Sequence, residues 1–185
     1  METTATPKPS LNLTAIIAAA FLVVAIVFAV SNGHWYFVFK AIHVTFAVIW
    51  IGGGMLLTIL GLMAERRSDP EELATVARQA AMVGQKLFSP AAGVVLLAGI
   101  AMMINGSLDW NQFWVSFGLL GFLSSFVVGI GFLAPQSKRV AALIESDGVE
   151  SAAAQAGIAK ILVIARYDIA VLLLVVFDMV LKPFS

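Results

Sequence analysis

Long apolar runs separated by short polar breaks set the pattern of this chain. Residues 1–12 (METTATPKPSLN) are polar with two prolines and predict a disordered cytoplasmic tail. Residues 13–30 carry no charge and predict an N-terminal transmembrane helix. The rival reading is a cleaved signal peptide, because Lys8 precedes the run and Ala29-Val30-Ser31 has a small-x-small pattern. Trp35–Met63 follows after a Ser31-Asn32-Gly33 turn: 29 residues in which only Lys40 and His43 are ionisable. About 20 apolar residues cover a hydrocarbon core at 1.5 Å each, so this run predicts a span. Similar runs predict further spans at about 87–104, 113–134 and 158–181, with helical connectors at 64–86 and 135–157.

The connectors carry their own signals. Asp69 before Pro70 is a good N-cap, with proline at the first helical position and Glu72 at the third. Leu73, Val76, Ala80, Val83 and Leu87 then recur at three- and four-residue steps, an amphipathic stripe. Pro90 stands near the start of the next span, as a first-turn residue or a kink, and Pro135 is expected to end the 113–134 span. The triple glycine Gly52-Gly53-Gly54 thins one face for helix packing. Gly121, Ser125 and Gly129 form a second small-residue ridge, equally suited to an internal contact or to a homo-oligomer. The two connectors resemble each other enough to suggest tandem helical hairpins, Trp35–Ile104 and Phe113–Leu181.

Charge sets an expected orientation. Arg66, Arg67, Arg78 and Lys86 lie in the first connector and Lys138, Arg139 and Lys160 in or near the second, while the turns near 31–34 and 105–111 hold no lysine or arginine. The positive-inside rule therefore places both connectors in the cytoplasm, and Trp35, Trp110 and Trp114 in an outer aromatic belt. The expected fold is an all-α polytopic transmembrane bundle of five spans. A four-helix core of two hairpins (35–184) is joined by one N-terminal span, with the N-terminus inside and the C-terminus outside.

Composition narrows the chemistry. The chain is 61% hydrophobic and 12% charged, against about 45–50% and 25% in soluble domains. With no cysteine, thiolate metal sites and cysteine nucleophiles are excluded. Eleven basic and eleven acidic residues cancel, so nothing points to nucleic acid, and the expected partner is the lipid bilayer.

Five ionisable groups sit where lipid is expected: Lys40, His43, Arg166, Asp168 and Asp178. Such groups are costly and seek pairing or an interface. Lys40 and Asp178 both lie near the outer end of their spans, which predicts an ion pair between them; the alternative is a snorkelling Lys40 with Asp178 paired to Lys182. Arg166 and Asp168, two apart, need separate partners; Arg166 is either an interfacial anchor on lipid phosphates or a partner of an acidic group of the first connector, such as Glu65 or Asp69. His43, about 12 Å below the outer surface, is a candidate metal ligand to haem iron or else a neutral histidine hydrogen-bonded across helices. His34 is about 13 Å away along the helix, so the two do not ligate one iron. Met55, Met63, Met102 and Met103 are available as second ligands and read first as core filler.

Lys40-Ala41-Ile42-His43, Trp50-Ile51-Gly52-Gly53, Arg166 and Lys182-Pro183-Phe184 resemble motifs of a bacterial superfamily of small integral membrane proteins. It includes the HemJ type of protoporphyrinogen oxidase, the copper-resistance-D type, and a large uncharacterised group. The resemblance is closest to that uncharacterised group, over about 35–184, and implies a multi-pass protein of the bacterial cytoplasmic membrane. In the HemJ type it implies a haem b site, with His43, Lys40 and Arg166 as cofactor-binding residues. The sequence departs from that type: Met55-Leu56-Leu57-Thr58 stands where a Leu-Pro-Arg segment is expected, no histidine follows His43, and no Asn-Glu follows the arginine. A copper role would need more His or Met ligands at the outer face. Three functional classes are left open: a haem-associated redox protein using His43; a transport or permeation bundle with Lys40, Asp168 and Asp178 along a polar path; and a non-enzymatic structural protein.

Overall fold

The computed structural model describes residues 13–31 and 33–184; the expected 1–12 tail and Asn32 of the first turn lie outside them. Helices α1 (Leu13–Ser31), α2 (Trp35–Ala47), α3 (Gly53–Arg67), α4 (Pro70–Val83), α5 (Ser89–Asn105), α6 (Phe113–Val127), α7 (Ala134–Asp147) and α8 (Ala152–Leu181) are joined in pairs by π-helical segments. Val48–Gly52 fuses α2 to α3, Gly84–Phe88 fuses α4 to α5, and Val128–Leu133 fuses α6 to α7. The results are three rods of 33, 36 and 35 residues, each about 50 Å long.

These rods correct the expectation of five spans. Among the described residues three helices are long and apolar enough to cross a membrane: Trp35–Arg67, Pro70–Asn105 and Phe113–Asp147. α8 is not among them because every 18-residue stretch of it holds at least three of Lys160, Arg166, Asp168 and Asp178. α1, whose side chains are only partly described, is not among them either. The orientation derived from five spans, N-terminus inside and C-terminus outside, falls with that count. Nor do two separate hairpins form a four-helix core. α2 packs on α5 and α6 on α8, but α8 also meets α3, α4 and α7, and α4 meets α7, so contacts run across both halves.

The connectors are not breaks between spans but continuations of the rods. Ser68 in the left-handed region (φ 54°) turns the chain after α3, and the Asp69 carboxylate caps α4 by accepting from the Glu71 and Glu72 amides. Pro135 does not end its helix, and Pro90 does not break its own. Each follows a π segment by two residues, and such a local widening absorbs the carbonyl that a proline leaves without a donor. The Ser89 hydroxyl donates to the Gly84 carbonyl, 3.0 Å away, which also accepts the Ser89 backbone N–H.

Two cores result. At the charged end Ala74, Ala77, Val140, Ile158, Ile161 and Leu162 unite α4, α7 and α8. At the other end Met103, Trp114 and Val115 pack together. Trp114 thus leaves the aromatic belt expected for it. It is buried, its indole N–H donates to Gln112 Oε1, and Lys182 Nζ sits 4.6 Å from its ring centroid. Trp35 and Trp110 are exposed. Large apolar side chains such as Val27, Leu97, Leu120 and Leu174 cover the outer surface, as lipid-facing positions do.

Candidate functional site

The three π segments open onto one cleft of about 180 Å³. Trp50 comes from the first, Gly84, Gln85 and Phe88 from the second, and Gly129, Ile130 and Leu133 from the third. α8 closes the remaining wall with Ile161, Leu162, Ala165, Arg166, Asp168 and Ile169. A π turn carries one extra residue, which breaks close ridge-and-groove packing and leaves room between rods; such turns concentrate at functional sites. Aromatic order persists at its edge, where the Trp50 and Phe122 rings meet edge to face at 5.8 Å.

Charges in the wall are compensated from inside. Arg166 Nη2 lies 2.5 Å from Glu65 Oε1, so of its two expected settings it takes the pairing with the first connector. The contact satisfies charge more than hydrogen-bond direction, since Nη2 is otherwise buried without a hydrogen-bond acceptor. Asp168 accepts from the Ser125 hydroxyl at 2.9 Å, so Ser125 both packs α6 against α8 and holds a carboxylate. Thr58 turns its hydroxyl back to the Gly54 carbonyl at 2.9 Å. What is left of the lining is mainly apolar.

The small residues Gly52, Gly53, Gly54, Gly121, Ser125 and Gly129 differ in what surrounds them. A Cβ on Gly53 would lie 2.7 Å from the Phe88 ring, and one on Gly54 2.5 Å from Ile169 Cδ1. A Cβ on Gly121 would collide with Val175 Cγ2, and Ser125 is buried. Gly52 and Gly129 face open space instead, with nothing within 4 Å. For Gly129 that space is the cleft.

His43 lies elsewhere. Its Nδ1 is 2.8 Å from the Val95 carbonyl oxygen of α5. A carbonyl only accepts, so Nδ1 carries the proton of this bond, which in the neutral ring leaves the lone pair on Nε2. Gly99 makes this approach possible: a Cβ there would stand 3.2 Å from the imidazole. Sequence reasoning missed Gly99; its signal was a glycine inside an otherwise unbroken apolar helix. Lys40 is exposed, its Nζ 6.0 Å from the Tyr36 ring centroid. Asp178 is 6% exposed with both carboxylate oxygens buried and without hydrogen-bond partners. The expected Lys40–Asp178 pair is therefore not made, and Lys182, turned onto Trp114, does not replace Lys40.

The three residues expected around haem do not share a site. Glu65, which holds Arg166, is 22 residues beyond His43 on the same rod, about 33 Å along its axis. Lys40 lies a further turn away, and neither Lys40 nor His43 lines the cleft. One porphyrin cannot touch all three. Among the described residues no group of three or more His, Asp or Glu side chains is placed to hold a metal ion.

A family described as predicted integral membrane proteins, DUF2269, matches residues 37–183. The match covers most of the chain, which therefore belongs to that family. No curated protein and no solved structure matches it.

Proposed function

We propose that this DUF2269 protein binds a membrane-soluble amphiphile in the cleft between its rods, in the bacterial cytoplasmic membrane, with the charged rod ends facing the cytoplasm. One observation carries the reading: three π segments, one in each membrane-crossing rod, widen the bundle at a common place. Pockets for small molecules are mostly apolar with a few fixed polar groups, and this lining fits that description. The concentration of Arg66, Arg67, Arg78, Lys86, Lys138 and Arg139 at one end supports the orientation. The test is native mass spectrometry of the protein extracted in mild detergent. The wild type should retain an amphiphile that Ala165→Trp, filling the cleft, releases. Equal retention by a folded Ala165→Trp variant contradicts the proposal.

A second reading rests on His43. Nδ1–H bonded to a backbone carbonyl, with Nε2 free, is the usual arrangement of a metal-ligating histidine. It keeps the kinship with HemJ-type and copper-resistance-D-type proteins in play for His43 alone, without Arg166. A Soret band in protein from haem-supplied cells, abolished by His43→Ala, supports it; colourless folded protein counts against it.

A further inference from the structure

Beside the cleft runs a second groove of about 330 Å³ between α4 and α7. The two adjoin, with Ala81, Gln85, Ser137 and Ile161 in the walls of both. Their linings differ in charge. Arg78, Lys86 and Lys138 line the groove, from three different segments of the fold, and no carboxylate does. Ion pairs among the described residues join Arg67 to Glu72 and Arg166 to Glu65, which leaves these three cations without acidic neighbours at bonding distance. Arg78 donates to the Thr75 hydroxyl at 3.1 Å, a neutral acceptor. The floor, by contrast, is apolar: Ala74, Ala77, Val140 and Ile161.

Depth matches the charge. Lys86 is 19 residues from Asn105, the far end of its rod, or about 29 Å, close to the thickness of the hydrocarbon core. Arg78 lies about 40 Å from Asn105, and Lys138 about 38 Å from Phe113, the corresponding end of its own rod, within the headgroup layer. The cations thus stand at and just beyond the edge of the hydrocarbon core, where lipid phosphates are found, and beside them the apolar cleft reaches deeper into the layer, as far as Ala92 and Trp50. Basic pockets between helices on the cytoplasmic side hold anionic headgroups in this manner.

Building on the amphiphile-binding reading, we propose that the ligand is an anionic phospholipid. Its phosphate headgroup lies in the α4–α7 groove against Arg78, Lys86 and Lys138, and an acyl chain enters the cleft. All three side chains are exposed, so their substitution leaves the packed core untouched.

The experiment compares phosphatidylglycerol with phosphatidylcholine of identical chains, each titrated onto the detergent-purified full chain and read by native mass spectrometry. Phosphatidylglycerol should be retained at least about tenfold better. Arg78→Gln, Lys86→Gln and Lys138→Gln should each lower that preference about fivefold, as about 1 kcal/mol per surface cation implies, and the triple variant should abolish it. Arg139→Gln, which removes an exposed cation outside the groove, should leave it unchanged. Equal retention of the two lipids, both lost in Ala165→Trp, overturns the anionic headgroup and leaves the cleft standing. A phosphatidylglycerol preference that Ala165→Trp does not touch overturns the cleft and keeps the groove. A preference lowered as much by Arg139→Gln as by Lys86→Gln overturns the site in favour of diffuse surface charge.

Discussion

Both charged side chains in the wall of the cleft, Arg166 and Asp168, are tied down by one contact each, and the contacts differ in worth. Arg166 and Glu65 are each about a third exposed, so their pair contributes on the order of 1 kcal/mol. Reversal at either position should lower the unfolding temperature in detergent, and Glu65→Arg combined with Arg166→Glu should recover most of the loss. The Ser125–Asp168 hydrogen bond lies deeper, where such bonds average about 0.6 kcal/mol in membrane proteins. Ser125→Ala should cost that much in reversible unfolding. His43 depends on what is absent at Gly99. Gly99→Leu should push the imidazole off the Val95 carbonyl and destabilise by about 1–3 kcal/mol, whereas Gly93→Leu, with nothing within 4 Å of its Cβ, should be neutral. Thermal unfolding of the two variants side by side checks this.

At the scale of elements the spacing of small residues decides which helices touch. Gly121→Ile should drive α6 from α8 and lower stability by about 1–3 kcal/mol, while Gly129→Ile, opening on the cleft, should not. Asp69→Ala removes the cap of α4 and should cost about 1 kcal/mol. The cap and the amphipathic stripe of α4 were legible because each leaves a signature: Asp-Pro, then apolar residues at helical spacing. The π segments were not. Two of them, Val48–Gly52 and Val128–Leu133, fall in stretches apolar all round, where one extra residue shifts no visible polar face, and the third, Gly84–Phe88, is too short for its Gln85 and Lys86 to reveal a change of period. Ser89-Pro90 and Pro135 were their only traces, and a proline alone reads as a helix end. Arg166 with Glu65 was legible from charge, since each needed an opposite sign within reach. His43 with Val95 was not, because a backbone carbonyl has no residue identity.

Taken whole, the molecule is three rods about 50 Å long in a hydrocarbon layer of about 30 Å, with the surplus gathered at the charged end. Lipid removes the hydrophobic drive between rods in the layer, so small-residue contacts and polar pairs carry association there. Where α4, α7 and α8 emerge, water restores that drive, and burying a side chain such as Ile158 contributes about 1.5–3 kcal/mol. Length and hydropathy made the membrane character plain from the sequence. They overcounted the spans because α8, long enough to cross, spreads its four charges so that every 18-residue stretch holds at least three, whereas the other rods gather theirs toward their ends and leave a long apolar stretch. The cleft itself is the claim on which the rest depends. The absence of cysteine permits a clean probe of it: a single thiol in the Gly129→Cys variant, placed where a side chain meets nothing within 4 Å. In purified protein a lipid-soluble maleimide should label that thiol, added phospholipid should slow the labelling, and Gly121→Cys should stay unreactive until the protein is unfolded. A Gly129→Cys thiol that stays silent in the folded state, or reacts at a rate phospholipid does not change, contradicts the account.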